Sequence, residues 1–262
     1  MTPKTTNQRE EEILRELRRA GGSCRVSFLA KELGVTLETI RRNLRTLEDR
    51  KIVRKVHGGV HLVEDILEPT FESRLDKKVH AKEALALAVA KTVSDGDSIF
   101  LDIGSTTAYV ALALQNHRDL FVVTNSVFVA QTLSTRNGNR VFMAGGELRG
   151  HDGGAFGVEA QDLVRRLNVN FAVFSIGAIN ADHGFMLHDL QEANLANIAI
   201  DNAQVRIVVA DGEKFGKRAP VTLEKVDQID LLFTDVHPPE DICRMLNEID
   251  LITIGDFETK TG

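Results

Sequence analysis

Two threonines and three arginines at helical spacing form the first group of side chains that could recognise another molecule. Thr36 and Thr39 stand at the start of a segment in which Arg41, Arg42 and Arg45 follow within two turns. An arginine guanidinium is planar and donates two hydrogen bonds at once, to a guanine edge or to a phosphate. The group therefore fits a helix whose first half reads base edges in the major groove of double-stranded DNA.

A second basic group lies in IVRKVHGGVHLV (52–63), where apolar and polar residues alternate around a glycine pair. This alternation is typical of a two-stranded hairpin. Arg54, Lys55 and His57 lie on the hairpin, where we expect contacts with phosphate or with the minor groove. An ordinary three-helix bundle with an arginine-rich surface explains the same spacing, and spacing alone does not separate the two interpretations.

The segment LDIGSTTAYVALAL (101–114) could hold an anion. An apolar strand leads into a turn at Gly104, after which Ser105, Thr106 and Thr107 would open a helix. The unpaired N–H groups and the positive dipole end of a helix N-terminus favour phosphate, and the three hydroxyls add donors. A capped turn between a strand and a helix is the alternative, and the segment by itself leaves both open.

Other polar or glycine residues follow predicted strands in the same way. Ligands of open α/β sheets bind beyond the carboxyl ends of the strands, so groups from several strands can meet in one site for an anionic polyol. Lys214 would supply a counter-charge for phosphate, although a solvated loop lysine is the plainer interpretation. These candidates are Asp102, Thr124, Asn125, Gly145, Gly146, Gly177, Asp211 and Lys214.

Three helices are predicted to position the first two groups. Apolar periodicity favours helices over 8–20, 27–33 and 36–50, with Ser27 and Thr36 as caps of the second and third. The residues predicted to face the core are Ile13, Leu14, Leu17, Phe28, Leu29, Leu33, Ile40, Leu44 and Leu47.

From residue 81 onward, helical segments alternate with nearly continuous apolar runs. Such runs are typical of strands covered on both faces, and the alternation favours a mainly parallel, doubly wound sheet. Residues 64–80 are charged and contain Pro69. We therefore predict a DNA-binding domain over 1–62, a linker over 63–80 and an α/β domain with a candidate ligand site over 81–262.

The charge is divided in the same way. Residues 1–62 carry 14 basic and 8 acidic residues, a balance of +6, whereas the remainder carries 18 basic and 30 acidic residues, a balance of −12. A basic segment joined to an acidic body suggests that only the first part approaches a polyanion.

Several classes of protein are disfavoured. No apolar run approaches the length of a membrane span, and the polar start MTPKTTNQREEE does not resemble a secretory signal. Cys24 and Cys243 are too few and too far apart for a disulfide framework, which favours a reducing cytoplasm. His151, His183 and His188 do not fit a metal-binding spacing on a helix, so we expect no metal and no cofactor.

The string VTLETIRRNLRTLEDRKIVRKVHGGV (35–60) resembles the signature of the DeoR family of transcription regulators. The family usually shows Val-Ser-x-x-Thr-Ile-Arg-Arg-Asp-Leu, followed by Leu-Glu and by Arg-x-His-Gly-Gly-Ala. This chain departs at Thr36, where serine is usual, and at Asn43, where aspartate is usual. The resemblance implies a winged helix-turn-helix, and the departure at Asn43 puts operator preference in doubt.

The strings DGDSIFLDIGSTT, VVTNS, AGGELR and ADGEKFG resemble the effector domain of the same family, so the resemblance covers nearly the whole chain. It implies a Rossmann-like, sugar-phosphate-isomerase-like domain that senses phosphorylated sugars. The segment 145–157 resembles members that respond to glycerol 3-phosphate or related polyol phosphates. Ala196 stands where the family commonly has lysine, four residues after Glu192, which puts effector affinity in doubt.

These observations predict an α/β protein with an N-terminal winged helix-turn-helix and a C-terminal sheet domain. We expect a homo-oligomeric repressor of a carbohydrate or polyol operon that a phosphorylated sugar or polyol releases from DNA. The alternative is a sugar-phosphate isomerase that uses residues 211–214 for acid/base work, with an N-terminal interaction module. Repression and activation differ by operator placement, which the protein sequence does not encode.

Overall fold

The computed structural model describes residues 8–20, 22–62 and 70–254. They form two compact units, the first over residues 8–62 and the second over 70–215 and 219–254. The first seven residues of the predicted linker, 63–69, lie outside the described residues, and a short helix and the start of a second fall within 71–80. The domain limits at residues 62 and 80 stay predictions.

The first unit contains three helices and three short strands. In chain order they are α1 (Gln8–Arg19), β1 (Ser23–Arg25), α2 (Val26–Glu32), α3 (Leu37–Asp49), β2 (Val53–Val56) and β3 (Gly59–Leu62). Strands β2 and β3 form the predicted hairpin, with Arg54 opposite His61. Gly58 closes the turn with a φ of +73°, a conformation that glycine adopts without strain. Strand β1, which the sequence pattern did not predict, pairs with the other side of β3.

The core of this unit contains most of the predicted apolar residues. Ile13, Leu17, Ile40, Leu44 and Leu47 are fully buried.

Two predictions for α2 are wrong. The helix begins at Val26, with Arg25 at the cap position and no side-chain cap, so Ser27 is already inside it. Phe28 is 41% exposed, because the helix turns Leu29 and Ala30 to the core instead.

The second unit alternates strands and helices. Its helices are α4 (Phe71–Leu75), α5 (Val79–Ala90), α6 (Ser105–Ala113), α7 (Val127–Leu133), α8 (Val158–Arg165), α9 (Leu190–Asp201) and α10 (Glu240–Met245). Its strands are β4 (Ser98–Leu101), β5 (Phe121–Thr124), β6 (Arg140–Met143), β7 (Val169–Ser175), β8 (Ala178–Asn180), β9 (Gly184–Leu187), β10 (Ala203–Val209), β11 (Val221–Thr222), β12 (Leu231–Thr234) and β13 (Asp250–Thr253).

Seven of these strands form one sheet in the order β13-β12-β10-β7-β4-β5-β6, and every pairing in it is parallel. The order reverses between the neighbours β4 and β7, which is where doubly wound sheets bind ligands. The predicted fold class is confirmed. Strands β8, β9 and β11 form a small antiparallel sheet that the sequence analysis missed.

Each face of the large sheet has its own apolar core. Helices α5 and α6 cover one face through residues such as Leu85, Val89 and Val110. Helices α8 and α9 cover the other face through residues such as Val164 and Leu195. Helices on both faces leave the strand ends as the accessible part of the sheet. Among the described residues, no helix combines the length and apolar character that crossing a membrane requires.

Candidate functional site

Helix α3 presents the predicted arginines on one exposed surface. Thr36 caps the helix, where its hydroxyl oxygen accepts a hydrogen bond from the Thr39 N–H at 3.2 Å, and the two hydroxyls lie 2.9 Å apart. Arg41, Arg42 and Arg45 are all exposed, opposite the buried side of the helix. The first turns of α3 therefore offer three guanidinium groups on a helix that a side-chain cap holds in place.

Asn43 has a different place from its arginine neighbours. Its side chain is buried, and its amide nitrogen donates a hydrogen bond of 2.8 Å to the Thr39 carbonyl one turn earlier. The amide supplies a donor that an aspartate carboxylate would lack. The departure at this position therefore changes the inside of the helix and not its exposed surface.

The hairpin carries the other predicted DNA-binding residues. Arg54 and His57 are exposed. The Lys55 ammonium donates a hydrogen bond to the Glu48 carboxylate, and this bond lowers the pKa of Glu48. Lys55 is therefore partly neutralised by α3, whereas Arg54 and His57 project from β2 and its turn.

One exposed residue of α3 was missed. Leu37 opens the helix and is 43% exposed. An apolar side chain at the start of a DNA-reading helix can contact a thymine methyl group. In the sequence, only the position of Leu37 just before the arginines pointed to such a role.

The predicted effector residues meet at the carboxyl edge of the seven-stranded sheet. Because all seven strands are parallel, the segments that follow β4, β5, β6, β7 and β10 leave the sheet at the same edge. The residues brought to this edge are Asp102, Gly104, Ser105, Thr106, Thr107, Thr124, Asn125, Gly145, Gly146, Gly177, Asp211 and Lys214. The position matches the general ligand site of such folds.

The start of α6 is an enclosed part of this edge. Ser105, Thr106 and Thr107 are all buried. Gly104 has a φ of +154°, and a β-carbon there would lie 2.8 Å from the β-carbon of Ser175 on β7. The Thr107 hydroxyl donates to the Gly104 carbonyl at 3.1 Å, so it stabilises the helix start instead of facing a ligand.

Asp102 and Asn125 form a buried polar pair beside this helix. Burial, reinforced by the nearby Glu192 carboxylate, raises the pKa of Asp102 to about 8, so its carboxyl group carries a proton at neutral pH. The Asn125 amide helps to limit that rise. Nevertheless, within the described residues neither polar atom of the Asn125 amide has a partner in hydrogen-bond geometry, although the side chain is fully buried.

Thr124, also fully buried, is engaged within the sheet. Its hydroxyl donates to the Leu101 carbonyl at 2.7 Å and accepts the Ser126 N–H at 3.1 Å. These bonds join β5 to β4. The Thr124 hydroxyl is therefore used within the sheet and is not offered to a ligand.

An ion-pair network that the sequence analysis did not assign borders the pair. The Arg149 guanidinium pairs with Asp152 and with Glu192 of α9, and lies 3.7 Å from Asp189. It also lies over the Phe156 ring, 4.3 Å from its centre. In the sequence, Arg149 stood out only as part of the string AGGELR. Its ion pairs could not be predicted, because Glu192 and Asp189 are remote in the chain.

Three of the predicted glycines have different surroundings. A β-carbon on Gly177 would lie 2.9 Å from His188, so this glycine allows close packing. Gly146 has a φ of +119°, and Gly145 has only one atom, 4.0 Å away, near its missing β-carbon. Gly145 and Gly146 therefore shape a turn, while Gly177 separates two packed segments.

Asp211 and Lys214 complete the edge after β10. Asp211 is buried and its carboxylate accepts the Glu213 N–H at 2.9 Å, while Lys214 is half-buried. Over residues 8–20, 22–62 and 70–254, no group of three His, Cys, Asp or Glu side chains is arranged to hold a metal ion.

Comparison with protein families gives two matches. The family described as DeoR-like helix-turn-helix domain matches residues 9–65. The family described as DeoR C terminal sensor domain matches residues 77–236.

Whole-length relatives are similar over nearly the entire chain. The glycerol-3-phosphate regulon repressor of Escherichia coli (strain K12) is 32% identical over 92% of this chain and 95% of its own. The HTH-type transcriptional repressor CsqR of the same organism is 35% identical over 91% of each chain. The HTH-type transcriptional regulator GlpR of Haloferax volcanii is 30% identical over 80% of this chain and 82% of its own.

Similarity to solved structures is weaker. Ribose 5 phosphate isomerase A from Neisseria gonorrhoeae matches 52% of this chain and 53% of its own at 14% identity, with a TM-score of 0.38. At that TM-score the similarity supports no argument about this chain.

Proposed function

This chain belongs to the DeoR family of transcription regulators and binds DNA, and from that premise we propose that it represses a carbohydrate or polyol operon and leaves its operator when a phosphorylated sugar or polyol binds the second unit. The observation that carries this proposal is the pairing, in one chain, of an exposed arginine surface on α3 with a polar ligand edge on a parallel sheet.

The proposed DNA contacts divide by their chemistry. Arg41, Arg42 and Arg45 on α3 would reach guanine edges or phosphates, and Thr36 and Thr39 would bond near the helix start. On the hairpin, the exposed Arg54 and His57 would contact phosphate or the minor groove. Lys55 contributes less because Glu48 already binds its ammonium.

The proposed effector lies at the carboxyl edge of the large sheet. The start of α6 offers N–H groups and the hydroxyls of Ser105 and Thr106 to a phosphate, and Lys214 lies beyond the end of β10. Glycerol 3-phosphate is the first compound to test, because a relative of similar length is named for its regulon.

Release from DNA follows from a difference in effector affinity. If the effector binds the DNA-competent state more weakly than the other state, its binding lowers operator affinity by the ratio of the two affinities. Winged helix-turn-helix proteins read paired half-sites as symmetric assemblies, so we propose a homodimer or a homotetramer.

We propose binding without turnover. An isomerase would need a free carboxylate at the reacting carbon. Burial raises the pKa of Asp102 to about 8, so at neutral pH most of this carboxyl group is protonated and cannot act as a base. Incubation with pentose and hexose phosphates should leave them unchanged, and isomerised product would contradict this part of the proposal.

Fluorescence anisotropy of the full chain on labelled DNA tests the main proposal. The DNA is the region upstream of the operon that contains the gene, with a shuffled sequence of equal length as the control. We expect tighter binding to the upstream region at moderate salt, and release on addition of glycerol 3-phosphate. Equal binding to both DNAs would overturn the proposal of a specific operator.

A further inference from the structure

Strand β6 forms one edge of the seven-stranded sheet. On its inner side the Arg140 and Ala144 N–H groups donate to carbonyls of the neighbouring β5 segment at 2.8 and 2.7 Å. Because the backbone groups of successive strand residues point to alternate sides, those of Val141 and Met143 point away from β5. No strand of the described residues pairs with this outer side, so the sheet ends there in a row of backbone donors and acceptors.

The composition of β6 does not protect this edge. Natural edge strands avoid pairing with other chains through inward-pointing charges, prolines or a covering segment. The strand reads Arg-Val-Phe-Met, and its three apolar residues are all half-buried. A half-buried apolar strand with open backbone groups is a template for the addition of a further strand.

An aromatic patch lies at the same edge. The rings of Phe121 on β5 and Phe142 on β6 are stacked with their centres 4.6 Å apart. The Arg140 guanidinium lies over both rings, 5.4 Å and 5.5 Å from their centres. Both phenylalanines are only half-buried. Aromatic residues, methionine and arginine are the residue types enriched in contacts between protein chains, and this edge combines all three.

The edge is complementary to itself in one antiparallel register. If Val141 of one copy lies opposite Met143 of a second copy, the two residues exchange both of their N–H···O bonds, and the two-fold axis repeats the exchange. The outward backbone groups of both residues are then paired in both copies. Phe142 lies opposite Phe142 of the second copy on the same face, so the two aromatic stacks meet.

Charges near the two ends of β6 favour the same orientation. Arg136 and Arg140 are exposed at its amino end, and Glu147 and Glu159 are exposed near its carboxyl end. The Glu159 carboxylate lies 3.6 Å from the place that a β-carbon on Gly146 would take. Antiparallel pairing brings the basic end of each copy to the acidic end of the other, whereas parallel pairing would place like charges side by side.

We propose that β6 is a dimerisation strand: two copies of this chain pair their β6 strands antiparallel, with Phe142 at the two-fold axis, and their large sheets join into one. A second copy satisfies the backbone register and the charge pattern together. This inference rests on the proposed function, in which a symmetric assembly reads paired half-sites, and it names the surface and the register of that assembly.

Light scattering of the full chain at one fixed concentration tests the backbone pairing. Val141→Pro removes an outward N–H and puts a ring where the carbonyl of the second copy would approach, yet a proline is tolerated on an edge strand when the lost N–H faces away from the sheet. Val141→Thr is the matched control, because it keeps the N–H and the branched shape. We expect Val141→Pro to halve the mass of the assembly and Val141→Thr to leave it unchanged.

Thermal melts of both variants monitor folding. A folded Val141→Pro variant that keeps the wild-type mass would overturn the proposed interface.

Disulfide trapping tests the register, and it stays valid if Val141→Pro does not fold. The background carries Cys24→Ser and Cys243→Ser. In the proposed register, Phe142→Cys places two α-carbons about 4.5 Å apart, within the range of about 4.4–6.8 Å that a disulfide spans. Met143→Cys is the matched control, because its α-carbon lies about 7–8 Å from its counterpart.

We expect diamide to convert Phe142→Cys into covalent dimers at least about tenfold faster than Met143→Cys, since only the first pair of thiols has disulfide spacing. Equal rates for the two variants, or no covalent dimer in Phe142→Cys, would overturn the register.

The same variants separate this inference from the proposed function. A monomeric wild-type chain would overturn the interface even if that chain still preferred operator DNA to shuffled DNA. Covalent Phe142→Cys dimers without any preference for operator DNA would instead contradict the proposed function and leave the interface in place.

Discussion

The side chain of Ser175, at the end of β7, fills the space in which a β-carbon on Gly104 would lie, 2.8 Å from its own β-carbon. The Ser175 hydroxyl also donates to the Ile103 carbonyl at 3.2 Å. These contacts join the two central strands β4 and β7 where the strand order reverses. The loop that starts α6 can approach β7 this closely only because residue 104 is glycine.

Gly104→Ala should therefore open this junction. We expect the free energy of unfolding to fall by about 3 kcal/mol, because the backbone strain of alanine at a positive φ adds to the overlap of its β-carbon with Ser175. Gly96→Ala is the matched control, because Gly96 also has a positive φ but has open space around it, and it should lose about 1 kcal/mol. Urea unfolding measures both, and equal losses would show that the overlap with Ser175 has no effect.

Arg41→Ala and Arg42→Ala should separate base reading from phosphate binding. If the arginine reads a guanine, its replacement should weaken the free energy of binding to the operator by about 1–3 kcal/mol and change binding to shuffled DNA little. If the arginine binds a phosphate, its replacement should weaken binding to both DNAs and reduce the magnitude of the slope of log affinity against log salt concentration by about 0.9. Anisotropy at several salt concentrations measures this. Arg165→Ala, on an exposed helix of the second unit, is the control, and a loss of the same size there would contradict a role specific to α3.

Asn43→Asp should destabilise the first unit. The carboxylate cannot donate to the Thr39 carbonyl, and a charged group would be buried without the hydrogen bond that the amide makes, at a cost of about 1–3 kcal/mol. Thermal melts measure the change. Asn194→Asp makes the same replacement at an exposed helical position and should be nearly neutral. An Asn43→Asp variant as stable as wild type would mean that the hydrogen bond contributes nothing.

Asp102 should make stability depend on pH. In the unfolded chain this carboxyl group ionises near pH 4. In the folded chain, burial and Glu192 raise its pKa to about 8. Unfolding therefore releases a proton between these values, so this contribution to stability is complete below pH 4 and is lost as the pH rises to 8.

Asp102→Asn cannot ionise and should lack this loss. The stability difference between the variant and the wild type should grow in favour of the variant from pH 5 to pH 8, as measured by urea unfolding at each pH. Asp182→Asn, at an exposed turn, removes the same charge without burial and is the control. Parallel curves for Asp102→Asn and the wild type would contradict the raised pKa.

Much of the first unit was predictable because its signals are local. A threonine cap, an apolar stripe every three or four residues and a glycine in a hairpin turn each act over a few residues. These signals located α3, its exposed arginines and the hairpin. They failed at α2: the helix begins at Val26, which leaves Ser27 without its predicted capping role, and Leu29 and Ala30 face the core while Phe28 is exposed.

The second unit shows where local signals end. Its apolar runs predicted the strands, and their alternation with helices predicted a parallel sheet. No local pattern pairs Arg149 with Glu192, 43 residues later, or brings Lys82 to the acids after β10. Such contacts depend on which strands become neighbours and on which edge each helix begins.

The sequence by itself therefore determined the two kinds of domain, the family and the residue types available at each site, because short-range periodicity and motif spacing encode these. Only the tertiary structure decided which of those residues are buried, paired or unpartnered. Burial and electrostatic pairing arise between segments remote in the chain, and they change a side chain's pKa and its freedom to bind. The exposure of the α3 arginines was predictable from helical periodicity alone. The burial of Asn125 and Lys82 and the ion pairs of Arg149 were not.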